Sequence, residues 1–290
     1  MLTFSELADT YWDSHYTAQC KPSPQAYWYI KKLRAHFGHR LLSEIRTIDI
    51  LTFLRDERFK YSPGTVNKFR AMLNTIFKRG EEWNLAHANP VEKTRSLKDD
   101  ARRTRYLDRE EMAKLVSASS PKFYPILVCA LNTGLRRGEI GGLKWDNVNL
   151  ENKTLNIIHT KSGKNRQVPI STSLLKELKK MKAKATGNKV FNVSTSFLRR
   201  GFEAARKKAG IKNFRFHDLR HTFASYFVMA TGDLPTLQRI LGHSSAQMTM
   251  RYAHLADAHI QEKMKQFSES VKMPSLTRRK NPVKEVMETE

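Results

Sequence analysis

Cysteine is nearly absent from this chain. Cys20 and Cys129 are the only two in 290 residues, lie far apart and form no CxxC pair, so neither a disulfide framework nor a cysteine-based zinc site is encoded. Long apolar runs are missing as well: the longest, Phe123 to Leu131, is too short to span a bilayer and contains Pro125. The N-terminal MLTFSELADTYW has no basic n-region followed by an apolar h-region. These absences fit a reducing, cytoplasmic setting with no membrane segment. Neither glycine pattern of a phosphate loop, GxxxxGK[ST] or GxGxxG, occurs, and no internal repeat or low-complexity segment is present.

Acidic residues are the last scarcity, with 28 Asp and Glu against 52 Lys and Arg, for a net charge of +24. That is far more positive charge than solubility requires, and it points to a polyanionic partner, nucleic acid first. The excess is regional. Residues 161–220 hold 17 Lys/Arg and 3 Asp/Glu, whereas residues 221–270 hold 4 of each. A uniformly basic surface would not show this contrast, which favours a docking face beside something more buried.

With 40% apolar residues the chain can fill a core, and its length suits two domains. Residues 1–88 read as a small helical domain. Its clearest start signal is Ser62-Pro63, an N-cap followed by proline at the first helical position, after which Val66, Phe69, Leu73, Ile76 and Phe77 form one apolar stripe to about Trp83. Weaker versions of the pattern run over Phe4 to Tyr16, Gln25 to Phe37 and Ile48 to Phe59. Residues 89–105 read as a basic linker, either solvated or lying along a phosphate backbone through Arg102, Arg103 and Arg105.

The second domain, 106–270, opens with Asp108 and Glu111 at capping-box spacing. Two β-prone runs, Thr154 to His159 and Arg166 to Ile170, flank Lys161-Ser162-Gly163-Lys164 and read as a hairpin. Tyr124 to Asn132, Leu174 to Lys184, Ser196 to Ala209, His217 to Ala230, Leu234 to Leu241, Ala246 to Leu255 and Ala258 to Phe267 read as helices. The fold class is therefore mainly α with a small β-sheet (α+β), followed by a mixed-charge tail over 271–290.

Three segments carry candidate chemistry. In FHDLRHTFASYF, His217 and Arg220 share a helix face, and a guanidinium fork with an imidazole can address one phosphate. His217 and His221 are also four apart, but the zinc-protease pattern needs Glu after the first His and Asp218 stands there, so His221 reads as a packing histidine. In TGLRRGEIGGLKW, Gly134 and Gly138 permit tight turns and place Arg136 where a helix begins. In LGHSSAQMTMRYAHL, His243 follows a helix end and Tyr252 falls near Met248 and Arg251. Tyr252 reads either as half-buried packing or as a nucleophile, and Leu234 to Leu255 could also form a DNA-binding helix-turn-helix.

Together TGLRRGE, TKSGKNRQVPI, HDLRHTFAS and LGHSSAQMTMRYAHL, in this order, resemble the tyrosine recombinase or phage integrase family over roughly residues 105 to 270. Residues 1–88 resemble, more loosely, that family's core-binding domain through SPGTVNKFRAMLNTIFKRGEEW. The resemblance implies a catalytic set of Arg136, Lys161, His217, Arg220, His243 and Tyr252, with Glu139 supporting Arg136. It implies a site-specific DNA recombinase in which Tyr252 attacks the scissile phosphate to give a 3′-phosphotyrosine. His217 would act as base and Lys161 as acid, with no metal and no cofactor. Arg102, Arg103, Arg105, Lys164 and Arg166 are further candidate DNA contacts.

The implied partners are double-stranded DNA and three further copies of the chain in a tetramer on DNA, with Ala258 to Phe267 as candidate protomer contacts. Accessory DNA-bending or directionality proteins are also possible partners of such an enzyme. The two domains are expected to close as a clamp around the duplex. The competing reading is a DNA-binding regulator on a catalytically degenerate recombinase fold, which would form no covalent complex.

Overall fold

The computed structural model describes residues 1–19, 22–98, 105–158 and 165–270, in two compact units, Met1–Arg102 and Arg103–Glu290. The first unit is a helical bundle of α1 (Phe4–Tyr11), α2 (Pro24–Phe37), α3 (Thr47–Arg58) and α4 (Pro63–Glu82). Helix starts follow local chemistry. The Ser23 and Ser62 hydroxyls accept from the backbone N–H groups of Ala26 and Thr65, and a proline stands early in each helix, where its missing N–H costs nothing. Phe4, Leu33, Phe37, Ile50, Phe69, Leu73 and Phe77 fill the core. After α1 the chain continues as a π-helical turn, Trp12–Tyr16, where a continuous α-helix was expected.

The expected linker is shorter than 89–105. Val91 is buried in the first unit's core, and Arg70 donates to the hydroxyl and carbonyl oxygens of Thr94. Asn67 exchanges two hydrogen bonds with the backbone of Leu97, which ties that part of the stretch down. Arg102 and Arg103 lie outside the described residues.

The second unit contains α5 (Arg109–Ser117), α6 (Tyr124–Thr133), α7 (Arg137–Gly141), a three-stranded antiparallel sheet, and then α8 (Thr172–Lys182), α9 (Thr195–Lys208), α10 (Asp218–Thr231), α11 (Leu234–Leu241), α12 (Gln247–Met250) and α13 (Ile260–Ser270). The capping box read at the start of α5 forms, with Asp108 and Glu111 each accepting the other's backbone N–H. The sheet runs β1 (Val148–Asn149), β2 (Thr154–Ile157), β3 (Arg166–Pro169), with Leu155 opposite Val168 and Ile157 opposite Arg166. Residues 159–164, including the expected Lys161 and Lys164, lie outside the described residues.

Helix α10 is the axis of this unit. Leu219, Arg220, His221, Thr222, Ala224, Ser225 and Val228 are all buried, so polar side chains are carried inside the core. The expected helix over Ala246 to Leu255 is instead the four-residue α12 followed by a 3₁₀ stretch, Ala253–His259. Four residues make too short a recognition helix to lie in a groove, which removes the helix-turn-helix reading. It also places Tyr252 at the junction of two short elements. Among the described residues, no helix is long and apolar enough to cross a membrane.

Candidate active site

The chain presents the site residues through turns that glycine makes possible. Helix α6 ends at Gly134, with φ of 61°, and α11 ends at Gly242, with φ of 64°. A Cβ on Gly134 would lie 2.6 Å from Phe223 and 2.7 Å from Leu241, so the turn also needs a residue without a side chain. Both turns aim carbonyl oxygens inward. The Arg220 guanidinium donates to the Gly134 carbonyl at 2.8 Å and to the Leu241 carbonyl at 2.6 Å, and the residue is 4% exposed.

Arg136 precedes α7 and is held by Glu139. The carboxylate accepts the Arg136 backbone N–H at 2.8 Å and one of its terminal nitrogens at 2.9 Å. Burial acts to raise the Glu139 carboxyl, but hydrogen bonds from Arg166 and Arg136 outweigh it and hold the group below the usual carboxylate range. Arg136 and Glu139, expected to act together, are thus in direct contact.

Tyr252 is 2% exposed, and its hydroxyl lies 2.5 Å from Nδ1 of His221. Burial pushes the phenol up to about 12, with Arg251 and Arg220 acting in the opposite direction. The expected reading of His221 as a packing histidine is therefore incomplete, because it is buried and also touches the proposed nucleophile. Its ring packs edge-on against His217 at 5.2 Å between centroids. Burial is the main cause that lowers all three histidines, followed by Arg220 for His217 and His243 and by His217 and Arg251 for His221: His217, His221 to about 4 and His243 to about 3. They are neutral imidazoles at neutral pH, available to donate or accept a single proton. His243 is oriented by a 2.8 Å contact between its Nδ1 and the Thr249 hydroxyl.

Arg136, His217, Arg220, His243 and Tyr252 thus share one electrostatic neighbourhood. Arg251 joins them as a cation that sequence reasoning did not single out; its Nε is buried without a hydrogen-bond partner among the described residues. Its place directly before Tyr252 was the available signal. Among the described residues, no cluster of three His, Cys, Asp or Glu could hold a metal ion.

Two expected DNA contacts are engaged elsewhere. Arg105 pairs with Glu111 and lies over the Phe214 ring. Arg166 is 7% exposed in its side chain and binds Glu139 through both terminal nitrogens, so it faces inward rather than towards a duplex. In each, both terminal nitrogens are engaged by a carboxylate.

A two-unit α+β chain in which a buried tyrosine lies among arginines and neutral histidines has the parts of an enzyme acting on phosphate esters. Residues 105–259 match the phage integrase family, and the chain belongs to that family. It is 33% identical over 230 residues to the shufflon-specific DNA recombinase of Escherichia coli, an alignment covering 74% of this chain and 59% of that protein. It is 32% identical over 201 residues to the integrase of Escherichia phage P2, covering 69% of this chain and 58% of the relative. The chain therefore spans a little under three fifths of the length of these two relatives. It is also 30% identical over 229 residues to the tyrosine recombinase XerA of Pyrococcus furiosus, covering 74% and 78% respectively. Among solved structures, a lambda integrase dimer bound to a COC′ core site is similar in fold. The TM-score is 0.74 at 23% identity, over 85% of this chain and 97% of that one.

Proposed function

We propose that this chain is a site-specific DNA recombinase, acting in the cytoplasm, that cuts and rejoins DNA through a covalent bond to Tyr252. The observation that carries the reading is the Tyr252 hydroxyl, buried against His221 and within electrostatic reach of Arg251 and Arg220. The family match and the relatives named as recombinases and integrases support it.

The difficulty in the chemistry is charge. A phosphodiester repels nucleophiles, and its pentacoordinate transition state gathers more negative charge on the equatorial oxygens. Guanidiniums fixed in a water-poor site stabilise that charge without reorganising. Arg220 is fixed by two carbonyls and Arg136 by Glu139, and His243 adds a neutral hydrogen-bonding group. The Tyr252 oxygen forms a bond to phosphorus, its proton passes to an imidazole, and the 5′-oxygen leaves with a proton from a general acid. His217 is the base expected from the resemblance; His221 is the ring in contact with the phenol. Lys161, the expected acid, lies outside the described residues. The bond energy is kept in the 3′-phosphotyrosine for rejoining.

Double-stranded DNA is the substrate in this reading, held by the basic 161–220 region. Exchange between two duplexes needs four active sites, so four copies assemble on DNA; one related structure is a lambda integrase tetramer bound to a Holliday junction. Ile260, Met264 and Phe267 of α13 are exposed and suit contacts between protomers.

The test is covalent capture. The full chain is incubated with a library of nicked duplexes of randomised sequence, and SDS-resistant protein–DNA adducts are collected and sequenced. The expected result is an adduct whose DNA converges on a core sequence, and which Tyr252→Phe does not form although it binds the same DNA. An adduct in Tyr252→Phe, or none in the parent, refutes the proposal.

A further inference from the structure

Arg166 is the most fully engaged basic side chain near the site, and the proposed reaction gives it no part. It opens β3 with its side chain 7% exposed. Its two terminal nitrogens donate to the two Glu139 oxygens at 3.0 and 2.8 Å, and its Nε donates to the Ile240 carbonyl at 2.8 Å. Each of these partners leads to a residue of the proposed chemistry.

Glu139 also receives the backbone N–H and one terminal nitrogen of Arg136. A carboxylate offers about four acceptor positions, and here Arg166 takes two and Arg136 the others. Arg136 is therefore held through a single side-chain nitrogen, and the rest of its fork is left for another anion. Without Arg166, Arg136 could close bidentately on Glu139, its best geometry with a carboxylate, and turn its donors away from phosphate. The Ile240 carbonyl is one residue before the Leu241 carbonyl that holds Arg220. Gly242 follows, where an added Cβ would come within 2.9 Å of the Arg166 side chain, and His243 comes next. One side chain thus braces the holder of Arg136 and the segment that orients Arg220 and His243.

We propose that Arg166 is a positioning residue for strand cleavage: by occupying one side of Glu139 and the Ile240 carbonyl, it keeps the Arg136 guanidinium directed at the scissile phosphate. The proposal rests on the recombinase reading. It predicts an electrostatic defect, and a neutral phosphoryl group reveals such a defect because it has less need of a guanidinium.

The experiment uses the full chain and a nicked duplex carrying the core sequence captured by the parent, made with either a phosphodiester or a methylphosphonate at the cleavage position. Arg166→Lys keeps the charge but not the fork, and Arg166→Gln keeps two donors without the charge; thermal unfolding checks that each variant is folded. A misplacement of about 1 Å costs on the order of 10²-fold in rate. The expected result is a loss of about that size in single-turnover adduct formation on the phosphodiester, shrinking to under about 10-fold on the methylphosphonate, with duplex affinity unchanged. Parent-like rates in both variants overturn the proposal. So does an equal loss on both substrates, which would mean general damage to the site. Weakened duplex binding with an unchanged rate at saturating DNA also overturns it, making Arg166 a phosphate contact. Failure of the parent to form any adduct refutes the recombinase reading instead, so the two failures are distinct.

Discussion

Replacing His221 by Gln tests whether the imidazole beside Tyr252 is held neutral by its surroundings. Besides the Tyr252 hydroxyl in contact with it, the ring is faced by His217 at the start of its helix, Asp218 and Arg220 on that helix, Arg251 next to Tyr252, and His243. Burial is the main cause of its lowered value, and three of these neighbours add to the effect against Asp218. Below about pH 6.5 the unfolded chain takes up a proton that the folded ring refuses until about pH 4, so stability is present above 6.5 and is lost as pH falls between these values. At 1.36 kcal/mol per unit, the fall from pH 7 to pH 5 removes about 2 kcal/mol, or about 1–2 kcal/mol after allowance for solvent screening. His217 and His243 act in the same direction, so Gln at 221 removes one share of a larger acid sensitivity. Urea unfolding of parent and variant at pH 7, 6 and 5 measures that share, and NMR titration of the histidine rings locates the His221 midpoint directly. The reasoning fails if the two proteins lose the same stability between pH 7 and 5, or if the His221 ring titrates near 6.5.

Gly134→Ala should destabilise the second unit by about 2–5 kcal/mol, combining a left-handed backbone at φ of 61° with overpacking against Phe223 and Leu241. Its Tm and its adduct rate should fall together, because the displaced carbonyl holds Arg220; a parent-like Tm refutes this. Cys129 is fully buried and its thiol is pushed up to about 12, so iodoacetamide at pH 8 should leave it unmodified in the folded chain and label it in urea. Mass spectrometry of the Cys129 peptide decides the point, and rapid native labelling contradicts the burial.

What was legible in the sequence was local. The Ser62-Pro63 start and the Asp108–Glu111 box are interactions between residues three or fewer apart, and both form as read. The order of the motifs carried the family, which no single segment could. What escaped depends on distant partners. Arg166 resembles any surface cation until Glu139, 27 residues away, closes on it, and His221 looks like core packing until Tyr252 arrives from 31 residues away. The helix expected over Ala246 to Leu255 follows a periodic pattern, yet tertiary packing breaks it and buries Tyr252 at the break.

The charge in this site is arranged differently from the charge on the surface. Arg136 and Arg166 share the single carboxylate of Glu139, and Arg220 is held by the Gly134 and Leu241 carbonyl dipoles. Burial and the nearby Arg136 lower Arg220 to about 9, which still leaves it a cation at neutral pH. The three histidines contribute no charge there. With Glu139 and Asp218 as its carboxylates, the site still carries more positive than negative charge, a cost that a further carboxylate would reduce at the expense of blocking phosphate. In the proposed reaction a DNA phosphate would supply the missing negative charge, and the transition state more. If the proposed reaction holds, neutralising surface cations outside the site should mainly weaken salt-dependent binding, whereas an added acidic side chain beside Arg220 should stabilise the resting protein and disable the reaction.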